Sequence, residues 1–193
     1  MLAAMAKVVA KGATRLWRAE SLLRHDRRRA LAELGACFRE GEAPDALDGP
    51  LDGRLVTGTL GYGLDAILEG ITRLWLPWAG KAFDPAMKEG RNRFVGPARP
   101  FFRVLWPGYR DLVPDGSSAF RAFRFDTSIG DSVTDPGLSV LKIDYEHPES
   151  PWPIRLILDE LVHVGQGQHL GQALLRRDGR FRRVAWFALE TRD

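Results

Sequence analysis

The sequence predicts an α+β protein: an antiparallel, lipocalin-like β-barrel of about seven to eight or more strands, with one short helix closing an end and N-terminal helices packed outside. Three observations lead there. From residue 101 onward, short runs alternate between apolar and polar residues with period two, the pattern of half-buried strands. Turn-forming residues punctuate those runs, at Pro107-Gly108, Asp115-Gly116, Asp135-Pro136-Gly137, His147-Pro148 and Asp178-Gly179. No helical pattern recurs between them, which argues against a parallel doubly wound sheet. A half-open roll of the cystatin type is the alternative arrangement of the same strands.

Composition sets the bounds. At 193 residues and 45% hydrophobic, the chain suits one substantial core, with residues 1–48 as a helical segment and 49–193 as the barrel domain. The net charge of +3 is uneven: Lys7, Lys11, Arg15, Arg18, Arg24, Arg27, Arg28 and Arg29 face only Glu20 and Asp26 in residues 1–31. The rest of the chain is net acidic and lacks a dense basic face, so nucleic acid is not expected as a partner. Cys37 is the lone cysteine, which excludes an intrachain disulfide and fits a reducing, cytoplasmic setting. No 18-residue apolar run is present, and the opening residues lack the core of a secretory signal.

Residues 1–40 read as one or two helices. Ser21 is placed to cap the stretch through Phe38, with Leu22, Leu23, Leu31, Leu34 and Phe38 as its apolar positions and Gly41 as its stop. The first part is basic and amphipathic, with Val8, Val9, Leu16 and Trp17 among lysines and arginines. Two roles compete for it: covering the barrel or a neighbouring subunit of a homodimer, and peripheral contact with an anionic membrane through residues 1–31. Residues 41–50, rich in Gly, Pro and Asp, read as a linker.

Residues 51–83 carry the most structure per residue: a strand, a glycine-rich turn, a helix and a tryptophan-rich exit. Leu64, Ile67, Leu68, Ile71 and Leu74 mark one buried helical face, opposite Asp65, Glu69 and Arg73, and Pro77 ends it. Gly58, Gly61 and Gly63 before the helix read as an ordinary strand-to-helix turn. They lack both the dinucleotide spacing and the Walker lysine of a phosphate loop.

The exit, Trp78-Ala79-Gly80-Lys81-Ala82-Phe83, supplies a resemblance. Together with the glycine-rich lead-in and short helix, its W-x-G-K-x-F pattern resembles the bacterial GXWXG family of uncharacterised proteins. Trp78, Gly80, Lys81 and Phe83 match, and Asp159 with Leu170-Gly171 makes a second partial match, so that residues 51–171 are covered. The pattern departs at Gly53-Arg54-Leu55-Val56-Thr57, where leucine and threonine stand at the tryptophan and second glycine of the name motif. The resemblance implies a β-rich domain of lipocalin or nitrobindin type and little chemistry.

The strands follow. Phe102, Val104 and Trp106 alternate with Phe101, Arg103 and Leu105; Arg121, Phe123 and Phe125 with Ala122, Arg124 and Asp126; Leu141, Ile143 and Tyr145 with Lys142, Asp144 and Glu146. Ile154 to Val164, His169 to Arg176 and Arg180 to Glu190 complete the set. Eight strands suffice to close a barrel around side chains or one small ligand.

By alternation the inward positions are Phe102, Val104, Trp106, Phe123, Phe125, Ile143 and Tyr145, with Trp186 or Phe187 from the last strand. The candidate ligand-binding residues are Trp78, Lys81, Phe83, Trp106, Phe123, Phe125, Tyr145, Asp159 and His163. A hollow barrel and a filled one use the same residues, so both stay open. Asp159 in an apolar strand needs a partner, and Lys81, between two large rings, is expected to meet it near a barrel mouth. His163 and His169 flank one turn, without the further ligands of a metal site. A haem on a single histidine is what the nitrobindin analogy adds; no other cofactor is expected. Ser117, Ser118, Ser128, Ser132 and Cys37 lack the context of a nucleophile.

The expected function is non-catalytic binding of a small hydrophobic molecule. The enzyme alternative is a small isomerase, cyclase or hydrolase with Asp159 or His163 as base. The third is a partner- or membrane-docking module working through the basic N-terminal helices.

Overall fold

In the computed structural model, residues 14–59, 77–165 and 167–191 are described. The expected helix at 64–76, its glycine-rich turn beyond Thr59 and most of the first basic stretch lie outside them, while Gly58 ends a strand.

Eight antiparallel strands close a barrel: β1 (Gly49–Gly58), β2 (Trp78–Asp84), β3 (Glu89–Val95), β5 (Ala119–Asp131), β6 (Ser139–Asp144), β7 (Ile157–Gly165), β8 (Gln168–Arg177) and β9 (Arg180–Thr191). Closure comes from β1 pairing β9 and β3 pairing β5. The short β4 (Val113–Asp115) adds to the start of β5. A fully paired ring leaves no open sheet edge, and its alternating side chains divide into an inner and an outer set.

The β8–β9 turn shows how local sequence sets register. Asp178 and Gly179 both take positive φ, 52° and 72°, the type I′ geometry whose twist matches the flanking strands, and Arg177 then faces Arg180.

The inner set forms one core. Phe83, Phe120, Phe125, Leu141, Ile143, Tyr145, Leu161 and Phe187 belong to it. A second core lies between the outer wall and the N-terminal helices, α1 (14–22) and α2 (Arg27–Arg39): Leu16, Ala19, Leu34, Cys37 and Phe38 pack on Val162, Val164, Leu170, Trp186 and Ala188. Trp186 thus faces outward against Phe38, and Phe187 is the inward residue of that pair. Of the described residues no helix is long and apolar enough to cross a membrane.

Three expectations need correction. The helix break falls at Asp26, whose carboxylate accepts from Arg29 N at 2.9 Å and caps α2. Ser21 instead donates back to the Arg18 carbonyl.

Phe101 to Trp106 form a helix, α3 (Arg99–Leu105), in place of a strand. Pro100 lies in the first turn, where its missing N–H costs nothing, and Phe102 and Trp106 are one helical turn apart. The period-two pattern there is accidental, because Val104 is 79% exposed and only Phe102 is buried.

In β5 the alternation is broken by a bulge at Phe123, where the register jumps from Ala122 to Arg124. Phe123 takes φ of 54°, and its N–H donates to the Tyr109 hydroxyl at 2.6 Å. The bulge resets the phase, so Phe120 and Ala122 before it and Phe123 and Phe125 after it all face inward.

Candidate functional site

The W-x-G-K-x-F stretch is itself a bulged strand. Register shifts between Trp78 and Gly80, so Trp78, Lys81 and Phe83 share the inner face. Gly80 makes this feasible. Its φ is 126°, and a Cβ there would run into the Leu51 carbonyl oxygen of β1. Trp78 lies over Gly53, where any side chain would collide with the indole.

Lys81 points to the barrel centre. Its ammonium donates to Asp159 Oδ2 at 2.8 Å, to Asn92 Oδ1 at 3.0 Å and to the Tyr145 hydroxyl. The Tyr145 hydroxyl donates to Asp159 Oδ2 at 3.0 Å and accepts from Asn92 Nδ2 at 3.0 Å, and Trp78 Nε1 donates to Asn92 Oδ1. Four rings, Trp78, Phe125, Tyr145 and Phe187, stand 5.1–5.6 Å from the ammonium. A buried cation is tolerable in such a setting, where a counter-ion, hydrogen-bond acceptors and ring faces replace water.

Electrostatics follow from burial. Desolvation lowers the pKa of Lys81, and Asp159 opposes that shift. Burial raises the Tyr145 phenol well above its usual range, with Asp159 adding to it. Lys81 is 2% exposed and the Asp159 side chain 3%, so this cluster has no open face for a substrate.

The space lies elsewhere. A cleft of about 700 Å³ opens at the barrel end formed by the β2–β3 turn, under residues 43–47. Leu47, Phe83, Ile129 and Leu141 give it apolar walls, and Lys88, Thr127, Ser128 and the carboxylates of Asp45, Asp84 and Glu89 supply polar groups at its rim. A stack of rings separates it from the polar cluster: Phe83 packs on Phe125 at 5.4 Å, and Phe125 on Tyr145 at 5.5 Å. Phe83 is therefore the candidate residue that lines the cleft, while Trp78, Lys81, Phe125, Tyr145 and Asp159 converge behind it.

The other candidates are placed apart. Trp106 and Phe123 join Phe102 in an aromatic plug, with ring centroids 5.1–5.3 Å apart. His163 stands opposite His169 across β7 and β8, their rings 5.1 Å apart. Burial, with His163 adding to it, pushes the His169 pKa down to about 4.

Several residues of the site escaped the sequence reading. Asn92 sits in a polar strand, Glu-Gly-Arg-Asn-Arg-Phe-Val, whose period-two signal is carried only by Gly90, Asn92 and Phe94. Ile129 continues the inward series of Phe125 and Thr127 past the point where β5 leaves the core. Leu47 lies in what reads as a linker.

No protein-family model matches the chain, and no curated protein matches it in sequence. Among solved structures it is similar to a protein from Thermomonospora curvata, at 14% identity and a TM-score of 0.46, over 91% of this chain and 99% of that one.

Proposed function

We propose that the protein is a binding barrel that takes a small, largely apolar molecule into the cleft at the β2–β3 end. The observation that carries this reading is the cleft itself, whose volume of about 700 Å³ falls within the range of small-molecule sites. Leu47, Ile129, Leu141 and Phe83 would hold an apolar body, and Thr127, Ser128 and Lys88 would meet a polar end. Ile129 is 57% exposed although it is a large aliphatic residue on the wall, and burial under a ligand would recover that surface. The Lys81–Asp159–Tyr145–Asn92 cluster then acts as the fixed floor behind the aromatic stack, setting the barrel's cross-section.

The enzyme reading through Asp159 has less support, because its carboxylate is shut away from the cleft and already engaged by Lys81 and Tyr145. The cytoplasmic setting and the likeness to the GXWXG family remain part of the proposal and rest on the sequence alone.

The test is titration with an apolar fluorescent probe and with fatty acids of graded length. Saturable binding at one site per chain is expected, and Ile129→Glu should abolish it while leaving stability within about 0.5 kcal/mol, since the side chain is mostly in water. Absence of saturable binding across both ligand sets, or binding indifferent to Ile129→Glu, would overturn the reading.

A further inference from the structure

Besides the cleft, the barrel mouth carries a row of potential metal ligands. Beyond the end of β6, the edge of β7 is paired by the segment before β1: Glu42 N donates to the His163 carbonyl at 3.3 Å, and His163 N to the Glu42 carbonyl at 2.7 Å. On its other edge His163 stands directly opposite His169. Directly opposed residues in antiparallel chains put their side chains on the same face, so Glu42, His163 and His169 form one row across three neighbouring chains. His163 spends its own backbone groups on Glu42, which makes His163 and His169 a non-hydrogen-bonded pair, the kind whose side chains approach most closely.

We propose that this row binds a first-row divalent transition-metal ion, with His163 and His169 as ligands and Glu42 as a third. Two imidazoles on one tetrahedral ion, with metal–nitrogen bonds of about 2.0–2.1 Å, place their ring centroids about 5 Å apart. The two rings stand at 5.1 Å. His169 is 4% exposed, and its Nδ1 is buried with no hydrogen-bond partner among the described residues, a polar atom that a ligand would satisfy.

Glu42 has an exposed side chain and stands directly opposite His163 in the bridge, on the same face as the two rings. Among the described residues no group of three or more such side chains is already gathered, so metal would draw the carboxylate in. Water would fill the remaining position. Imidazole and carboxylate together select Zn²⁺ and its neighbours over Mg²⁺ or Ca²⁺.

The test uses the full chain, stripped with chelator and dialysed, and titrated calorimetrically with Zn²⁺ and in parallel with Mg²⁺. One Zn²⁺ per chain and no response to Mg²⁺ are expected. Co²⁺ in place of Zn²⁺ should give visible bands of a low-coordinate site. His163→Gln, at a half-buried position, and His169→Phe, checked by circular dichroism for an intact fold, should each weaken Zn²⁺ binding at least about tenfold, and Glu42→Gln should weaken it less. Failure of the parent chain to take up Zn²⁺, or uptake unchanged in a folded His163→Gln or His169→Phe variant, overturns the site.

Discussion

Lys81 Nζ lies 2.8 Å from Asp159 Oδ2, on strands β2 and β7 from opposite sides of the barrel, and both side chains are closed to solvent. Removing one member of such a pair leaves the other charge buried and alone. Asp159→Asn is therefore expected to cost about 3–5 kcal/mol by urea unfolding. Replacing both, as Lys81→Met with Asp159→Leu, should recover much of that loss. A cost below about 1 kcal/mol for the single variant would mean the pair is hydrated in solution.

Gly80 should tolerate no side chain. Its positive φ costs an L-residue about 1–3 kcal/mol, and the Leu51 carbonyl blocks the Cβ as well. Gly80→Ala is expected to lower the thermal midpoint markedly. Gly116→Ala, at positive φ but in open space, pays only the conformational part and should lower it less.

Two of the three tyrosines should resist ionisation. Burial raises the pKa of Tyr109 and, more strongly, of Tyr145, so the folded chain keeps their protons while the unfolded chain releases them from about pH 10. Above that pH the unfolded state binds fewer protons, and stability falls as pH rises. Phenolate absorbance should thus show these two titrating only together with alkaline unfolding, and early, reversible ionisation of both would contradict the packing.

Cys37 should be inert in the native state. It is buried between α2 and the barrel wall, and burial raises its thiol pKa to about 11. A thiol reagent at mildly alkaline pH should label it only after denaturant is added; rapid native labelling would show that the helices lift off the wall.

The strands of the second half were legible because their alternation and turns agree: Asp178-Gly179 specifies its hairpin, and β7 to β9 fall within a few residues of the expected bounds. The meeting of Lys81 with Asp159 was also readable, since a carboxylate in an apolar strand demands a partner. Its expected place near a barrel mouth was wrong: the pair is closed inside the barrel, both side chains at most 3% exposed. What escaped was whatever depended on tertiary context. The bulge at Phe123 is stabilised by the Tyr109 hydroxyl, which no local pattern announces. Phe101 to Trp106 alternate like a strand, yet Phe102 needs a helix to reach Phe94 and Phe120 inside the barrel end. The cleft is roofed by residues 43–47, part of the 41–50 stretch whose Gly, Pro and Asp content signals a connection without saying that it spans a mouth.

The most direct measurement is mapping of methyl and amide chemical-shift changes when the best-binding probe is added to the full chain. Shifts concentrated at Leu47, Ile129, Leu141 and Phe83, with Leu161 and the α3 plug around Phe102 unmoved, are the predicted result. Shifts confined to α3 or the N-terminal helices, or no saturable shifts with any apolar probe, would contradict a ligand site at this end of the barrel.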